Sequence, residues 1–225
     1  MQKDSMSDWD ALLSSAARLQ KIVPEAVLVG GTAAATYAHH RISFDHDHIL
    51  GDLKSRFDDV LASLEAVAGW RTARVRRPVL ILGSLDGIET GIRQLIRSEP
   101  LETQTLEING ESITVPTQSE MLRIKAVLIL KRNATRDYLD FVALANGLGD
   151  GGVKSALLKF DELYPQPNGE SPLMQLAKQL SNPLPFDLDD TNLEEYKNLV
   201  AEYRDWSKVS AICQHIAVDV IQAML

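Results

Sequence analysis

Two aspartates separated by one residue are the clearest candidates for chemistry in this sequence. Asp45 and Asp47 lie in a stretch of alternating apolar and polar residues, and a strand over 42–50 would place both carboxylates on one face. Mg²⁺ is commonly bound by one or two carboxylates together with substrate phosphates, and Mn²⁺ prefers the same oxygen ligands. Taken alone, however, the pair is equally typical of a solvated strand face.

A glycine pair lies shortly before these aspartates. Gly30 and Gly31, followed by Thr32, end the short apolar run 26–29 and open an alanine-rich segment. This pattern predicts a strand, a tight turn and a helix whose first amides attract an anion such as a phosphate. A glycine turn alone is more often purely structural. The order and spacing of the turn and the aspartates together favour a nucleotide bound beside a metal ion.

These residues, with a second block further along, resemble the AbiEii/AbiGii-type toxins of the nucleotidyltransferase superfamily. The stretch GGTAAATYAHHRISFDHDHI is similar to that family's Gly-Gly-Thr-Ala turn and Arg-x-Ser-x-Asp-x-Asp signature. The blocks EMLRIK and RDYLDF, which begin at Glu120 and Arg136, are similar to its Glu-x-x-x-x-Lys and Arg-Asp-x-x-Asp helices. The resemblance covers roughly residues 20–145 and leaves 150–225 unmatched.

The resemblance implies a role for each matched residue. Asp45 and Asp47 would hold catalytic Mg²⁺ (or Mn²⁺). The phosphates of an NTP would be bound by Gly30, Gly31, Thr32, Ser43 and Lys125. Lys125 would also neutralise charge during catalysis, and Asp137 would be an orienting or proton-accepting carboxylate. The supporting residues would be Arg41, Glu89, Arg136 and Asp140.

The implied reaction is Mg²⁺-dependent transfer of a nucleoside monophosphate from an NTP to an acceptor, with release of pyrophosphate. The acceptor would be an RNA such as tRNA, a protein or a small molecule. The implied biological role is the toxin of a toxin–antitoxin or phage-defence pair, with a separate antitoxin protein as partner.

Several of these residues also have purely structural interpretations. Lys125 precedes the apolar run 126–130, where a lysine often extends its ammonium to solvent. Arg136 and Asp140 have the i, i+4 spacing of a pair on a helix surface. Arg41 is equally suited to bracing the turn through a carboxylate.

The sequence departs from the superfamily pattern in one respect. Many nucleotidyltransferases carry a third carboxylate on a later strand, but here the candidate strand, 87–95, has Glu89 as its only acid. We expect Arg93 or Gln94 to occupy the place of the missing aspartate. The alternative hypothesis is therefore a catalytically degenerate protein of the same fold that binds a nucleotide or a partner.

Two further enzyme classes are open. One is a nucleotidyltransferase that modifies a small molecule such as an antibiotic. The other is a metallohydrolase that uses the nearby histidines. Strand alternation disfavours the latter, because it directs His46 and His48 to the face opposite Asp45 and Asp47.

The surrounding pattern predicts an α/β (α+β) protein with a nucleotidyltransferase-like mixed sheet flanked by helices and a C-terminal helical region. We expect a catalytic domain over 1–116 and a helical region over 117–225, whose first two helices, 118–148, complete the active site. Apolar spacing also predicts a helix over 193–203.

Composition excludes several other classes. The 225 residues are 45% hydrophobic with net charge −8, as in ordinary globular proteins and unlike broadly basic nucleic-acid binders. Apolar runs are too short for a membrane span, the N-terminus is polar, and the single cysteine excludes an intramolecular disulfide. We therefore expect a cytoplasmic protein without a membrane partner.

Four arginines within 71–77 are suited either to RNA phosphates or to a solvated strand edge.

Overall fold

The computed structural model describes residues 3–224, with side chains from Asp8 to Ala223. The chain divides into two compact units. The first runs to Ala33 and resumes over Ser43–Thr117, and the second comprises Ala34–Ile42 and the described chain from Gln118 onward.

The first unit is built on a five-stranded mixed sheet. Its strands are β1 (Val27–Val29), β2 (His46–Leu50), β3 (Trp70–Arg76), β4 (Leu80–Leu85) and β5 (Ile88–Gln94), in the spatial order β1-β2-β5-β4-β3. Only β2 and β5 are parallel, and the other neighbouring pairs are antiparallel. The predicted mixed sheet is confirmed.

Helices α1 (Lys3–Ile22) and α3 (Leu53–Glu65) pack apolar side chains against this sheet. Buried residues on both layers form one core: Leu19, Val23, Ala26, Leu50, Leu53, Phe57, Val60, Leu64, Trp70, Ile81, Leu85 and Ile92. A separate hairpin of β6 (Thr103–Ile108) and β7 (Glu111–Pro116) turns at Asn109-Gly110. Both turn residues have positive φ (53° and 79°), as the Asn-Gly signal predicts for a tight hairpin.

Helix α2 (Gly30–Ala38) starts in the first unit, and its last five residues belong to the second. The second unit is otherwise helical from α4 onward. Its α-helices are α4 (Gln118–Arg132), α5 (Thr135–Leu157), α6 (Phe160–Leu163), α7 (Pro172–Ser181) and α8 (Trp206–Met224). Gly149, with φ 67° and ψ 169°, interrupts α5 within the glycine-rich stretch 147–152.

The predicted helix over 193–203 is wrong. Two short 3₁₀ turns, Leu193–Glu195 and Ala201–Arg204, take its place. Between them, the Lys197 carbonyl accepts from the Ile42 amide and the Val200 amide donates to the His40 carbonyl, both at 2.9 Å. Because these backbone groups bond to a distant segment, they are not available for a helical ladder.

The predicted strand over 42–50 begins only at His46. Since Ile42 bonds to Lys197, the chain over 42–45 does not join the ladder of β2. None of the helices in residues 3–224 combines the length and apolarity that a membrane crossing requires.

Candidate active site

The turn between β1 and α2 is held in a backbone conformation that favours glycine. Gly30 has φ 78°, a region that residues with a Cβ seldom adopt. An added Cβ would be only in ordinary contact with Asp47, 3.6 Å from its Cβ, so the backbone angle rather than space requires glycine here. The turn thus brings the start of α2 next to Asp47.

The start of α2 is tied to the segment that carries Asp45. The buried Thr32 Oγ1 donates a 2.6 Å hydrogen bond to the Asp45 carbonyl oxygen. The Ser43 Oγ donates to Asp45 Oδ1 at 2.7 Å. Ser43 therefore orients one carboxylate oxygen of Asp45, while the residue as a whole is exposed.

Asp47 lies on β2, an interior strand of the sheet. It pairs with Val29 of β1 on one side and with Gly91 of β5 on the other. Its side chain is 33% exposed, so an ion or ligand can reach the carboxylate. The first unit therefore brings together Gly30, Gly31, Thr32, Ser43, Asp45 and Asp47.

The histidines beside these aspartates belong to the core. His46 and His48 are fully buried, and the His46 ring nitrogens contact Ser15 Oγ and Thr90 Oγ1, each at 2.9 Å. Burial lowers the pKa of His46 to about 4, although the Asp45 charge opposes the shift. Burial, with a smaller contribution from His46, also lowers the pKa of His48 well below its usual value. The predicted separation of His46 and His48 from Asp47 is confirmed, so these two histidines do not share a metal ion with Asp47.

Strand β5 shows what occupies the place of the missing third carboxylate. Parallel register matches Asp47 with Gly91, so Glu89 and Arg93 share the face of Asp47. A Cβ on Gly91 would lie 2.5 Å from Leu82 Cδ2 and 3.0 Å from the Ile81 carbonyl oxygen, so a side chain there would require these neighbours to shift. Arg93 Nε lies 3.7 Å from Asp47 Oδ1.

Gln94, the other expected occupant, is used elsewhere. Its side chain bonds to the Lys54 amide at the start of α3 and to the Gly51 carbonyl. Arg93 therefore stands beside Asp47 and Gln94 does not.

The donor set fits one Mg²⁺ better than two. Asp45 and Asp47 offer the hard carboxylate oxygens that Mg²⁺ prefers, and Mg²⁺ needs only one or two of them. Glu89 is the remaining acid on that face of β5, yet within the described residues it does not form a three-ligand cluster with the two aspartates. Asp45 and Asp47 are therefore the residues that could hold such an ion.

The predicted residues of the second unit form a buried ionic network around Asp140. Asp140 accepts hydrogen bonds from Arg41 Nε at 2.7 Å and Arg41 Nη2 at 3.0 Å, and contacts His40 Nε2 at 2.7 Å. Lys125 Nζ lies 2.7 Å from Asp140 Oδ2. Burial alone would raise the pKa of Asp140, but Arg41, Lys125 and the His40 hydrogen bond outweigh burial and hold the pKa well below its usual range.

Asp137 occupies the edge of this network. Lys125 Nζ lies 3.8 Å from Asp137 Oδ1, and Arg132 donates to both Asp137 oxygens, from Nη2 at 2.6 Å. Lys125 is therefore not a lysine that extends to solvent, since only 1% of its side chain is exposed. Arg136 is exposed, whereas Asp140 is buried, so the two do not form a helix-surface pair.

Sequence reasoning selected Arg41, Lys125, Asp137 and Asp140 without recognising that they bond to one another. It missed His40 and Arg132 as members of the network. Arg132 and Asp137 are only five residues apart across the break between α4 and α5, and this spacing could have indicated their ion pair. No local signal joins His40 to Asp140, which lies a hundred residues away along the chain.

Solved structures with this fold include nucleotidyltransferases. JHP933 of Helicobacter pylori matches 98% of this chain and 94% of its own, with TM-score 0.54 and 14% identity. Another Helicobacter pylori protein, described as a putative nucleotidyltransferase, matches 99% of this chain and 98% of its own. Its TM-score is 0.55 and its identity is 14%. ANT(2″)-Ia, solved with adenylyl-2″-tobramycin, matches 68% of this chain and 96% of its own, with TM-score 0.51 and 12% identity. The chain therefore has a nucleotidyltransferase-like fold.

Curated relatives are much longer proteins. The mycolic acid-containing lipids exporter MmpL11 of Mycolicibacterium smegmatis is 26% identical over 97% of this chain. The heme uptake protein MmpL11 of Mycobacterium tuberculosis is 30% identical over 56% of it. The chain spans only 22% and 13% of their respective lengths. No family model matches the chain.

Proposed function

We propose that this protein is a nucleotidyltransferase that moves a nucleoside monophosphate from an NTP to an acceptor. Asp45 and Asp47 would hold Mg²⁺, which would supply charge neutralisation at the phosphates. The glycine turn and the first amides of α2 receive the triphosphate. The observation that carries the proposal is the approach of the Gly30 turn to Asp47, with Asp45 fixed by Thr32 and Ser43.

The transfer is a displacement of pyrophosphate from the α-phosphorus by the acceptor. An acceptor hydroxyl oxygen forms a bond to the α-phosphorus, and the bond from that phosphorus to the α–β bridging oxygen breaks. Pyrophosphate leaves with the bonding electron pair, and the hydroxyl proton passes to a carboxylate or to solvent. Such reactions depend mainly on positioning and charge neutralisation, which this small set of residues can supply.

Lys125 as a phosphate ligand and Asp137 as an orienting carboxylate are part of the proposal. The buried pairs constrain both roles, because Lys125 already bonds to Asp140 and Asp137 to Arg132. To contact a phosphate, Lys125 would have to exchange Asp140 for it. A Lys125→Arg variant tests this, since it keeps the charge but not the compact ammonium geometry.

The toxin role, an RNA acceptor and a cognate antitoxin rest on the family resemblance. ANT(2″)-Ia, solved with an adenylylated tobramycin, supports a small-molecule acceptor equally well. Incubation with each α-labelled NTP, Mg²⁺ and total RNA, total protein or an aminoglycoside separates these acceptors by where the label is found. Growth arrest on expression of the wild-type protein, and not of Asp45→Asn, would support the toxin role.

The decisive experiment for transfer uses matched aspartate variants. We expect label transfer by the wild type and by Asp59→Asn, an exposed position on α3, and none by Asp45→Asn or Asp47→Asn. Transfer at the wild-type rate by both site variants would overturn the assignment.

A second candidate is a non-catalytic nucleotide- or partner-binding protein of the same fold. Two observations favour it: Arg93 stands where a third carboxylate is expected, and the curated relatives are named as an exporter and an uptake protein. In that case the wild type would bind Mg²⁺ and an NTP without labelling any acceptor.

A further inference from the structure

We infer that Arg93 binds phosphate oxygens of the nucleotide and supplies positive charge that a second metal ion supplies in sites with a third carboxylate. The inference rests on the proposed function and assigns one more residue to the same site. It identifies the ligand group as the phosphate chain of the nucleotide.

Arg93 lies on the same face of the sheet as Asp47. Asp47 pairs with Gly91, so Arg93 lies two residues further along β5 on the same face of the sheet. Its Nε is 3.7 Å from Asp47 Oδ1, and its side chain is 49% exposed. A ligand held by Asp47 is therefore within reach of the guanidinium.

The guanidinium of Arg93 has donors available for a ligand. A separation of 3.7 Å is too long for a hydrogen bond, and among the described residues the Arg93 guanidinium makes none. Its planar fork of N–H donors matches the oxygens of a phosphate. The side chain can leave Asp47 for such an anion without breaking a hydrogen bond.

The residues around Arg93 do not provide a third carboxylate beside Asp45 and Asp47. A side chain at Gly91 would be crowded, because its Cβ would lie 2.5 Å from Leu82 Cδ2 and 3.0 Å from the Ile81 carbonyl oxygen. Glu89 does not join Asp45 and Asp47 in a three-ligand cluster of the described chain. Among the described residues, Asp45 and Asp47 therefore lack a third acidic partner, and the Arg93 guanidinium adds positive charge on the same face. Arginine side chains that contact a transferring phosphoryl group stabilise its charge as metal ions do.

The test uses inorganic pyrophosphate as the probe, because its binding does not depend on the unidentified base. Calorimetric titration with pyrophosphate in the presence of Mg²⁺ is expected to show about 10-fold to 100-fold weaker binding by Arg93→Ala than by the wild type. Arg93→Lys should retain part of the affinity. Arg74→Ala, which removes an exposed arginine on the distant edge strand β3, should bind as the wild type does.

An Arg93→Glu variant gives a readout other than affinity. A glutamate Oε is as many bonds from the backbone as an arginine Nε, so it would reach the neighbourhood of Asp47 that Nε occupies. We expect Mn²⁺ counting by electron paramagnetic resonance, with pyrophosphate present, to give one bound ion for the wild type and two for Arg93→Glu.

The outcomes separate this inference from the proposed function. If the wild type binds Mg²⁺–pyrophosphate and Arg93→Ala binds it equally well, the inference is overturned and the proposed function stands. If the wild type binds neither Mg²⁺–pyrophosphate nor any Mg²⁺–NTP, both are overturned. Unchanged thermal unfolding of the Arg93 variants would confirm that binding, rather than folding, was altered.

Discussion

The ammonium of Lys125 lies 2.7 Å from Asp140 Oδ2, with both side chains buried. Burying two charges is costly unless each is paired and hydrogen-bonded. Here Asp140 also accepts from Arg41 and contacts His40, so its two oxygens are saturated by three basic side chains. The network cross-links α4, α5 and the residues that follow α2 within the second unit.

Removing one partner of this pair should be strongly destabilising. We expect Lys125→Met to lower the free energy of unfolding by about 3–5 kcal/mol, because it removes a buried cation that offsets the charges of Asp140 and Asp137. Urea denaturation followed by circular dichroism measures this change. Lys131→Met, at an exposed position on the same helix, should cost no more than about 0.5 kcal/mol. Equal stability of the two variants would show that the pair contributes nothing.

Acid should destabilise the fold through the buried histidines. In the unfolded chain His46 takes up a proton near its ordinary pKa of 6.5, whereas the folded protein resists protonation until about pH 4. The stability associated with His46 is therefore fully present above pH 6.5 and falls as the pH drops toward 4, by up to about 1.4 kcal/mol per pH unit. His48 acts in the same direction.

Unfolding free energies measured between pH 4 and 7 test this dependence. His46→Gln should reduce the slope of unfolding free energy against pH by the amount that corresponds to about one proton. His39→Asn, at an exposed position, should leave it unchanged. A wild-type stability that does not vary over this range would contradict the assignment of neutral core histidines.

Metal binding should depend on the two aspartates of the first unit. We expect Asp47→Asn to abolish Mn²⁺ binding and Asp45→Asn to weaken it at least tenfold, because each removes a charged oxygen ligand. Isothermal titration provides the measurement, and Asp59→Asn serves as the exposed control. Retention of the Mn²⁺ affinity by both site variants would place the ion elsewhere.

The glycine turn offers a test of backbone geometry. Gly30→Ala should cost about 1–2 kcal/mol of stability because alanine is strained at φ 78°. It should also weaken pyrophosphate binding, since the start of α2 shifts relative to Asp47. Gly51→Ala, where an added Cβ contacts nothing, is the matched control for thermal unfolding and for binding. If Gly30→Ala behaves as Gly51→Ala does, the conformation of the turn is unimportant.

Sequence patterns predicted those parts of the fold whose stabilising contacts are local. The alternation in β2 correctly separated His46 and His48 from Asp47, and the Asn109-Gly110 signal correctly predicted a hairpin. The helix expected over 193–203 is wrong because its backbone bonds to residues 40–42. Apolar spacing could not reveal a competing partner so far away in the chain.

The candidate site divides in the same way. By itself the sequence determined the glycine turn, the two aspartates and the lack of an aspartate on the later strand, because residue type and a two-residue period are enough to specify them. Only the tertiary structure decided that Arg93 rather than Gln94 stands beside Asp47, and that Lys125, Arg41 and His40 converge on Asp140. Strand register and the packing of distant helices set those contacts, and neither is encoded in the spacing of neighbouring residues.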